Sequence, residues 1–173
     1  MSENIGNSVI IDRNGDWKKY KRGMRRVDNE SVKCGIFGNT EQSFIATIQE
    51  FGATIKVTEK MRAFLHHKGI HLRKDTTHIE IPSRPFLRNT MDKNKERLDR
   101  INAEIEYNVL RGYTVQRALE EVGVEVVSLI KKEIKELKDP PKSDATLKMQ
   151  GEGKNNPLIN TGSMRQSVDY EVE

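Results

Sequence analysis

The sequence predicts an α+β fold: a small, mostly antiparallel sheet with two long helices and one or two short helices packed on it. Three observations predict it. Residues 32–37 and 167–172 alternate apolar and polar side chains at the period of a half-buried strand. Residues 98–109 and 115–137 carry apolar side chains at helical spacing. No internal repeat appears, so the helices are expected on one face of a sheet rather than in a regular alternation with strands.

In chain order, Ser8-Val9-Ile10-Ile11-Asp12 is a short strand candidate and Arg13-Asn14-Gly15-Asp16 a turn. Residues 16–27 read as a helix with Trp17, Tyr20 and Met24 on one face, weakened by Gly23. Val32 to Phe37 is a strand. Thr40 is placed to cap a helix at 41–51, with Phe44, Ile45, Ile48 and Phe51 inward and Gly52 as its stop. Ile55-Lys56-Val57 is a short strand. Thr58 caps a second short helix, 59–68, with Met61, Phe64 and Leu65 inward and Gly69 as its stop. Residues 70–81 read as a hairpin: Ile70-His71-Leu72, a turn at 74–77, then His78 to Ile81. Pro82 to Leu87 is a stiff connector, since its two prolines fix φ and remove donors. A helix over 89–111 follows, with Leu98, Ile101, Ile105 and Val109 on one side. Gly112 interrupts it, as either a corner or a kink. Thr114 caps a helix over 115–138, whose stripe is Val115, Leu119, Val122, Val126, Leu129 or Ile130, Ile134 and Leu137. Asp139-Pro140-Pro141 stops it. Residues 142–157 are polar and glycine-rich and read as a flexible loop. Ser167 to Val172 closes the chain as a strand returning to the sheet. The organisation is an N-terminal arm with a basic segment (1–31) and one α+β domain (32–173) that holds an insertion at 53–78.

Composition narrows the function. The core is lean: Leu, Ile, Val and Phe are about 24% of the 173 residues, and 32% are charged. Such a domain leaves much surface exposed or completes its core against partners. No apolar run is long enough for a transmembrane helix, and the opening MSENIGNSVIID lacks a basic stretch followed by an apolar one, so no signal peptide is expected. The one cysteine, Cys34, excludes an internal disulfide and a cysteine-based zinc site. An intracellular, soluble protein from a reducing compartment is the expectation.

The net charge of +4 hides blocks. Residues 13–26 set Arg13, Lys18, Lys19, Lys21, Arg22, Arg25 and Arg26 against Asp16 alone. Residues 56–74 set Lys56, Lys60, Arg62, Lys68, Arg73 and Lys74 against Glu59. Such blocks are either solvated surface or a binding surface for phosphate. A nucleic-acid-binding accessory protein using 13–26 and 56–74 is therefore the alternative function. No zinc-finger, RNP-type or KH signature accompanies them.

Catalytic chemistry finds no foothold in the pattern. His66, His67, His71 and His78 are all the histidines, and no cysteine or well-spaced carboxylate completes a metal site with them. Cys34 has no local activating base, and Ser43, Ser163 and Ser167 lie in no nucleophile motif. The spacing Gly35-Ile36-Phe37-Gly38 lacks the Lys-Ser/Thr of a phosphate loop. Asp92, Glu96 and Asp99 share a helical face with Lys93, Lys95, Arg97 and Arg100 around them, the pattern of a solvated surface. The expectation is a protein with no catalytic residues, no metal and no cofactor.

Three stretches are left unexplained by composition. They are Ile45-Ala46-Thr47-Ile48-Gln49-Glu50-Phe51-Gly52, then Ile81-Pro82-Ser83-Arg84-Pro85-Phe86-Leu87-Arg88, then Asn156 to Val168 (NPLINTGSMRQSV). In this order, with a two-helix segment between the second and third, they resemble the tail-completion and head–tail joining proteins of tailed bacteriophages. This is the superfamily of virion-morphogenesis proteins and lambda minor tail protein Z. The likeness covers most of 32–173, and Met164 stands where the family usually has leucine, a volume-conserving change. It implies a structural virion protein of the neck, a homo-oligomeric ring such as a hexamer. Its implied neighbours are the head-closure or connector protein and the tail terminator, with DNA passing through without sequence-specific binding and no membrane partner. The implied location is the virion, with assembly in the host cytoplasm.

The resemblance singles out Glu50, Phe51, Gly52, Arg84, Pro85, Phe86, Arg88, Thr161, Gly162 and Arg165 as interface or motif residues. Glu50-Phe51-Gly52 ends a helix and can hold the carboxylate in a turn. Arg84, between two prolines, is displayed on a stiff segment that loses little entropy on binding. Thr161-Gly162 can cap a short helical turn from which Arg165 projects. The same stretches read equally as internal packing elements: a helix stop, a connector and a strand entry.

Overall fold

The structure is a computed structural model, and it describes residues 2–5, 8–11, 18, 21–22, 25, 30–151, 153 and 155–173. Strands β1 (Ser2–Ile5), β2 (Ser8–Ile11) and β3 (Val32–Gly35) open the chain. Helix α1 (Glu41–Phe51), strand β4 (Ala53–Lys56), helix α2 (Glu59–His67) and strand β5 (His78–Ile81) follow. Then come α3 (Phe86–Lys93), α4 (Lys95–Leu110), α5 (Val115–Glu136), α6 (Asp144–Gln150), α7 (Ser163–Gln166) and β6 (Asp169–Val172). The class is α+β, with the described strands in antiparallel pairs: β1 with β2, β3 with β6 and β4 with β5. Of the helix expected at 16–27, Lys18, Lys21, Arg22 and Arg25 are helical, while Trp17, Tyr20, Met24 and the turn at 13–16 lie outside the described residues.

The chain divides into two compact units. The first holds residues 1–34, 94–126 and 170–173. Its buried apolar side chains are Ile101, Ile105 and Val109 of α4 and Val115, Ala118, Leu119, Val122 and Val126 of α5. These are the stripes that the spacing predicts, and each buried aliphatic side chain is worth roughly 1.5–3 kcal/mol. Thr114 Oγ1 accepts the Arg117 amide at 3.2 Å, so the expected cap is made. Gly112 (φ +93°) is a corner between two separate helices rather than a kink. The C-terminal strand returns as expected: Ser31 and Glu173 exchange both backbone hydrogen bonds at 2.8 Å beyond the β3–β6 pair.

The second unit holds residues 35–93 and 127–169. Ile130 and Ile134 of α5, Phe86 of α3 and Val168 are its most deeply buried apolar side chains. Both predicted caps on its short helices form: Thr40 and Ser43 make a reciprocal capping box, and Thr58 Oγ1 accepts the Met61 amide at 3.2 Å.

Five expectations need correction. The apolar stripe of α1 does not all face inward. Phe44 and Phe51 are exposed, while Ala46 and Glu50 are buried. The helix is rotated so that Glu50 reaches the start of α3, as described below. Likewise α2 buries no residue fully and exposes Phe64. The hairpin at 70–81 is not formed: β5 pairs with β4, Lys56 opposite His78 and Ala53 opposite Ile81. Two loop carbonyls, Arg73 O and Thr76 O, accept instead from the Arg62 guanidinium, both at 2.8 Å. The single helix expected at 89–111 is two. Phe86 and Leu87 already belong to α3, and the break at Asn94 falls in the run Asp92–Arg97, which has no apolar side chain to hold it straight. Residues 142–157 contain α6, capped by Ser143, whose Oγ accepts the Thr146 amide at 3.3 Å.

Candidate functional site

The second unit brings together residues that lie far apart in the chain. At the end of α1, the Glu50 carboxylate is 3% exposed. It accepts the backbone amides of Leu87 at 2.9 Å and Arg88 at 3.3 Å. These are orphan donors in the first turn of α3. The residue before that helix is Pro85, whose side chain has no acceptor, so the cap comes from a different helix. The negative charge also complements the positive end of α3.

Arg88 closes the loop in the other direction. Its Nε donates to Glu50 Oε1 at 3.1 Å and its Nη2 to the Glu50 carbonyl at 3.0 Å. That carbonyl is one of the orphan acceptors at the end of α1, and Ser83 Oγ donates to it as well, at 2.8 Å. Gly52 then turns the chain at φ +76°, with Ile81 O only 2.8 Å and Ser83 N 3.0 Å from where a Cβ would stand. Only glycine meets both demands.

Arg84 is not displayed on the connector as expected. It is 5% exposed and points inward. Its backbone amide donates to Gln49 O at 2.6 Å and its Nη1 to Gln49 Oε1 at 2.8 Å. Its Nε and Nη2 donate to the carbonyls of Pro140 and Pro141 at 2.7 and 2.8 Å. A proline carbonyl is a ready acceptor, and here one guanidinium ties the end of α1 and the connector to the loop after α5. Burial pulls the guanidinium below its usual range, which still leaves it charged at any physiological pH. Pro85 is the centre of a tight turn, in which the Phe86 amide donates to the Arg84 carbonyl at 2.7 Å, and Phe86 is fully buried. Phe51 faces solvent, and so does much of Arg88, whose guanidinium lies 5.5 Å from the Phe51 ring centre.

The third stretch forms its own structure. Asn156 Nδ2 donates to the carbonyls of Ile134 and Lys135, at 3.2 and 2.8 Å, capping the end of α5. Gly162 (φ +89°) precedes α7, and Thr161 Oγ1 accepts the Ser163 amide at 3.3 Å, so the expected turn is made. Met164 and Val168 are buried and Arg165 is half-buried. Helix α7 packs against α1, as does α3. Thus Glu50, Gly52, Arg84, Pro85, Phe86 and Arg88 form one cluster. Thr161 and Gly162, which precede α7, and Arg165 on it stand apart from that cluster.

Several contributors escaped sequence reading. Gln49, Ser83 and the carbonyls of Pro140 and Pro141 complete the Arg84 and Glu50 bonds. Lys142 is buried and donates to Gln150 Oε1 at 2.6 Å and Ile159 O at 2.9 Å, which ties α6 down. The signal for Asn156 was present, since it opens the third stretch. Beside Gly52 lies an open, shallow groove between Phe51 and the paired ends of β4 and β5. Among the described residues, no group of three or more His, Cys, Asp or Glu is placed to hold a metal ion. No described helix is long and apolar enough to cross a membrane. No protein-family model, curated protein or solved structure matches the chain.

Proposed function

We propose that the chain is a structural subunit of a tailed-phage neck, a tail-completion or head–tail joining protein that assembles as a ring and carries out no catalysis. One observation supports this reading most. The three stretches that resemble that superfamily are separated by tens of residues, yet all three pack about α1: the first forms it, the second is bonded to its end, and the third supplies α7 against it. Short likenesses scattered by chance have no reason to meet. Glu50, Arg84 and Arg88 spend their hydrogen bonds on backbone groups or on one another and Gln49, which is the chemistry of a scaffold rather than of turnover.

The test is electron microscopy of lysates from the phage that carries this gene, with the gene deleted. DNA-filled heads beside separate, finished tails are expected, with infectivity restored when the two are mixed with purified protein. Normal virions from the deletion would sink the reading.

A further inference from the structure

Between Ala53 and Ile81 no residue is fully buried. The module of β4, α2, the loop 70–77 and β5 thus has only half a core: Ile55, Met61, Leu65, Ile70 and Ile79 are each half-buried. Main-chain pairing of β4 with β5 holds it, together with Arg62, whose guanidinium donates to the Arg73 and Thr76 carbonyls. Such a piece gains when a further surface covers it. On the outside of α2, Lys60, Phe64 and Lys68 recur at every fourth residue, and the Lys68 ammonium lies 5.9 Å from the Phe64 ring centre. Phe64 is 55% exposed. The module carries an excess of positive charge, with Lys56, Lys60, Arg62, Lys68, Arg73 and Lys74 against Glu59, Asp75 and Glu80.

A face of opposite charge stands in the other unit. Residues 101–126 set Glu104, Glu106, Glu120, Glu121 and Glu125 against Arg111 and Arg117. On the exposed side of α4, Ala103 and Tyr107 lie one turn apart, with Glu104 and Glu106 to either side. Tyr107 is 57% exposed, and neither carboxylate forms an ion pair among the described residues. We propose that α2 of one copy docks on α4 of a second copy of the chain, Phe64 against Ala103 and Tyr107, Lys60 and Lys68 against Glu104 and Glu106. An aromatic anchor with complementary charges around it gives both affinity and register. The two faces differ, so each docked copy keeps one face free, and association continues until it closes. The residues that the resemblance singles out leave this role open, since Glu50, Arg84 and Phe86 are buried within one unit. The contact deepens the neck reading and rests on it for closure into a ring.

The test is sedimentation velocity of the purified full chain over a concentration series, at about 100 mM salt so that charge pairs still count. One variant is Lys60→Glu with Lys68→Glu, and a second is Glu104→Lys with Glu106→Lys. All four side chains are exposed. Each variant alone should associate at least about tenfold more weakly than the unmodified chain. An equimolar mixture of the two should recover to within about threefold, because the acidic α2 of the first then meets the basic α4 of the second, and the unchanged faces make the return contact. A chain with all four changes should recover by itself, which also shows that the fold bears them. Loss without recovery, no loss in either variant, or an unmodified chain that stays monomeric would overturn the proposal. A second measurement changes no charge: a Phe64→Cys chain and a Tyr107→Cys chain, both with Cys34→Ser, should form a mixed disulfide under mild oxidation. Disulfides of each chain with itself at the same rate would overturn the contact. Finished virions from the deletion alongside the charge-dependent switch would remove only the neck reading. Separated heads and tails, with self-association indifferent to these four charges, would remove only this contact.

Discussion

Glu50 is held by donors of unequal worth. Its partner Arg88 has a side chain more than half exposed, so that ion pair is screened and contributes about 1 kcal/mol at most. The two amides of α3 are different: removing their acceptor leaves them orphaned in a part-buried site, at about 1–3 kcal/mol, and takes away a helix cap. Glu50→Ala is therefore expected to cost about 3 kcal/mol in urea unfolding, Glu50→Gln about 1–2, and Arg88→Ala about 1. Equal costs for Arg88→Ala and Glu50→Ala would show that the ion pair, not the cap, is what matters. Cys34 gives the pH-dependent case. Desolvation by burial raises its pKa, and its thiol lies 3.9 Å from the Gly123 carbonyl. A raised pKa means that the folded state holds the proton more firmly, so this contribution to stability is complete below the unfolded thiol's pKa and fades as pH rises through the folded one. Alkylation at pH 8 should accordingly run several-fold slower on the folded chain than in denaturant, and equal rates would contradict the burial. The sequence named Glu50 and Arg84 but not their direction. Patterns of side chains say little about bonds to another residue's main chain, and most of the bonds here are of that kind.

At the scale of elements, α5 shows what a pattern reveals and what it hides. Its stripe from Val115 to Leu137 was legible because one long period survives noise. Gly123 inside it was not explained by any period. The structure supplies the reason: a Cβ there would stand 2.4 Å from Tyr170 Cδ2 of β6. In an open helix, Gly→Ala gains about 1 kcal/mol. Here Gly123→Ala should destabilise instead, whereas in a Tyr170→Gly background, which also removes the Cβ that stands 3.1 Å away, the same change should stabilise. A thermal-unfolding cycle over the four proteins measures that reversal, and a gain in both backgrounds would mean that the ring does not pack on the glycine. Rotation of α1 was illegible for a related reason. Phe44 and Phe51 outweigh Glu50 on any hydropathy scale, yet the need to cap α3 sets which face is buried. The break between α3 and α4 left a trace only as a missing apolar anchor. Helix α6 was hidden by the polar composition of its surroundings, and it is fixed by Lys142 rather than by an apolar face of its own.

For the molecule as a whole, the lean core has a counterpart on the surface. Phe44, Phe51, Phe64, Tyr107 and Val124 are each more than half exposed. Large apolar groups left in water gain on association, so the purified chain should self-associate, and its melting temperature should rise with protein concentration. A melting temperature independent of concentration, with a monomer in sedimentation, would remove the ring from the proposed function. The α+β class was legible from two alternations and two stripes, because each rests on many residues at once. The pairing of β4 with β5 was not, since they meet across an intervening helix and loop. One consequence follows for how such a sequence can drift. Arg84 grips carbonyls and Glu50 grips amides, groups that nearly every amino acid carries. Leu87 can therefore change without a compensating change at position 50, while no change elsewhere can rescue the loss of Glu50 or Arg84. Relatives should keep these two residues, with covariation confined to their side-chain partners Gln49 and Arg88, and a saturation library should show two intolerant positions whose main-chain-bonded neighbours, Leu87 among them, are permissive.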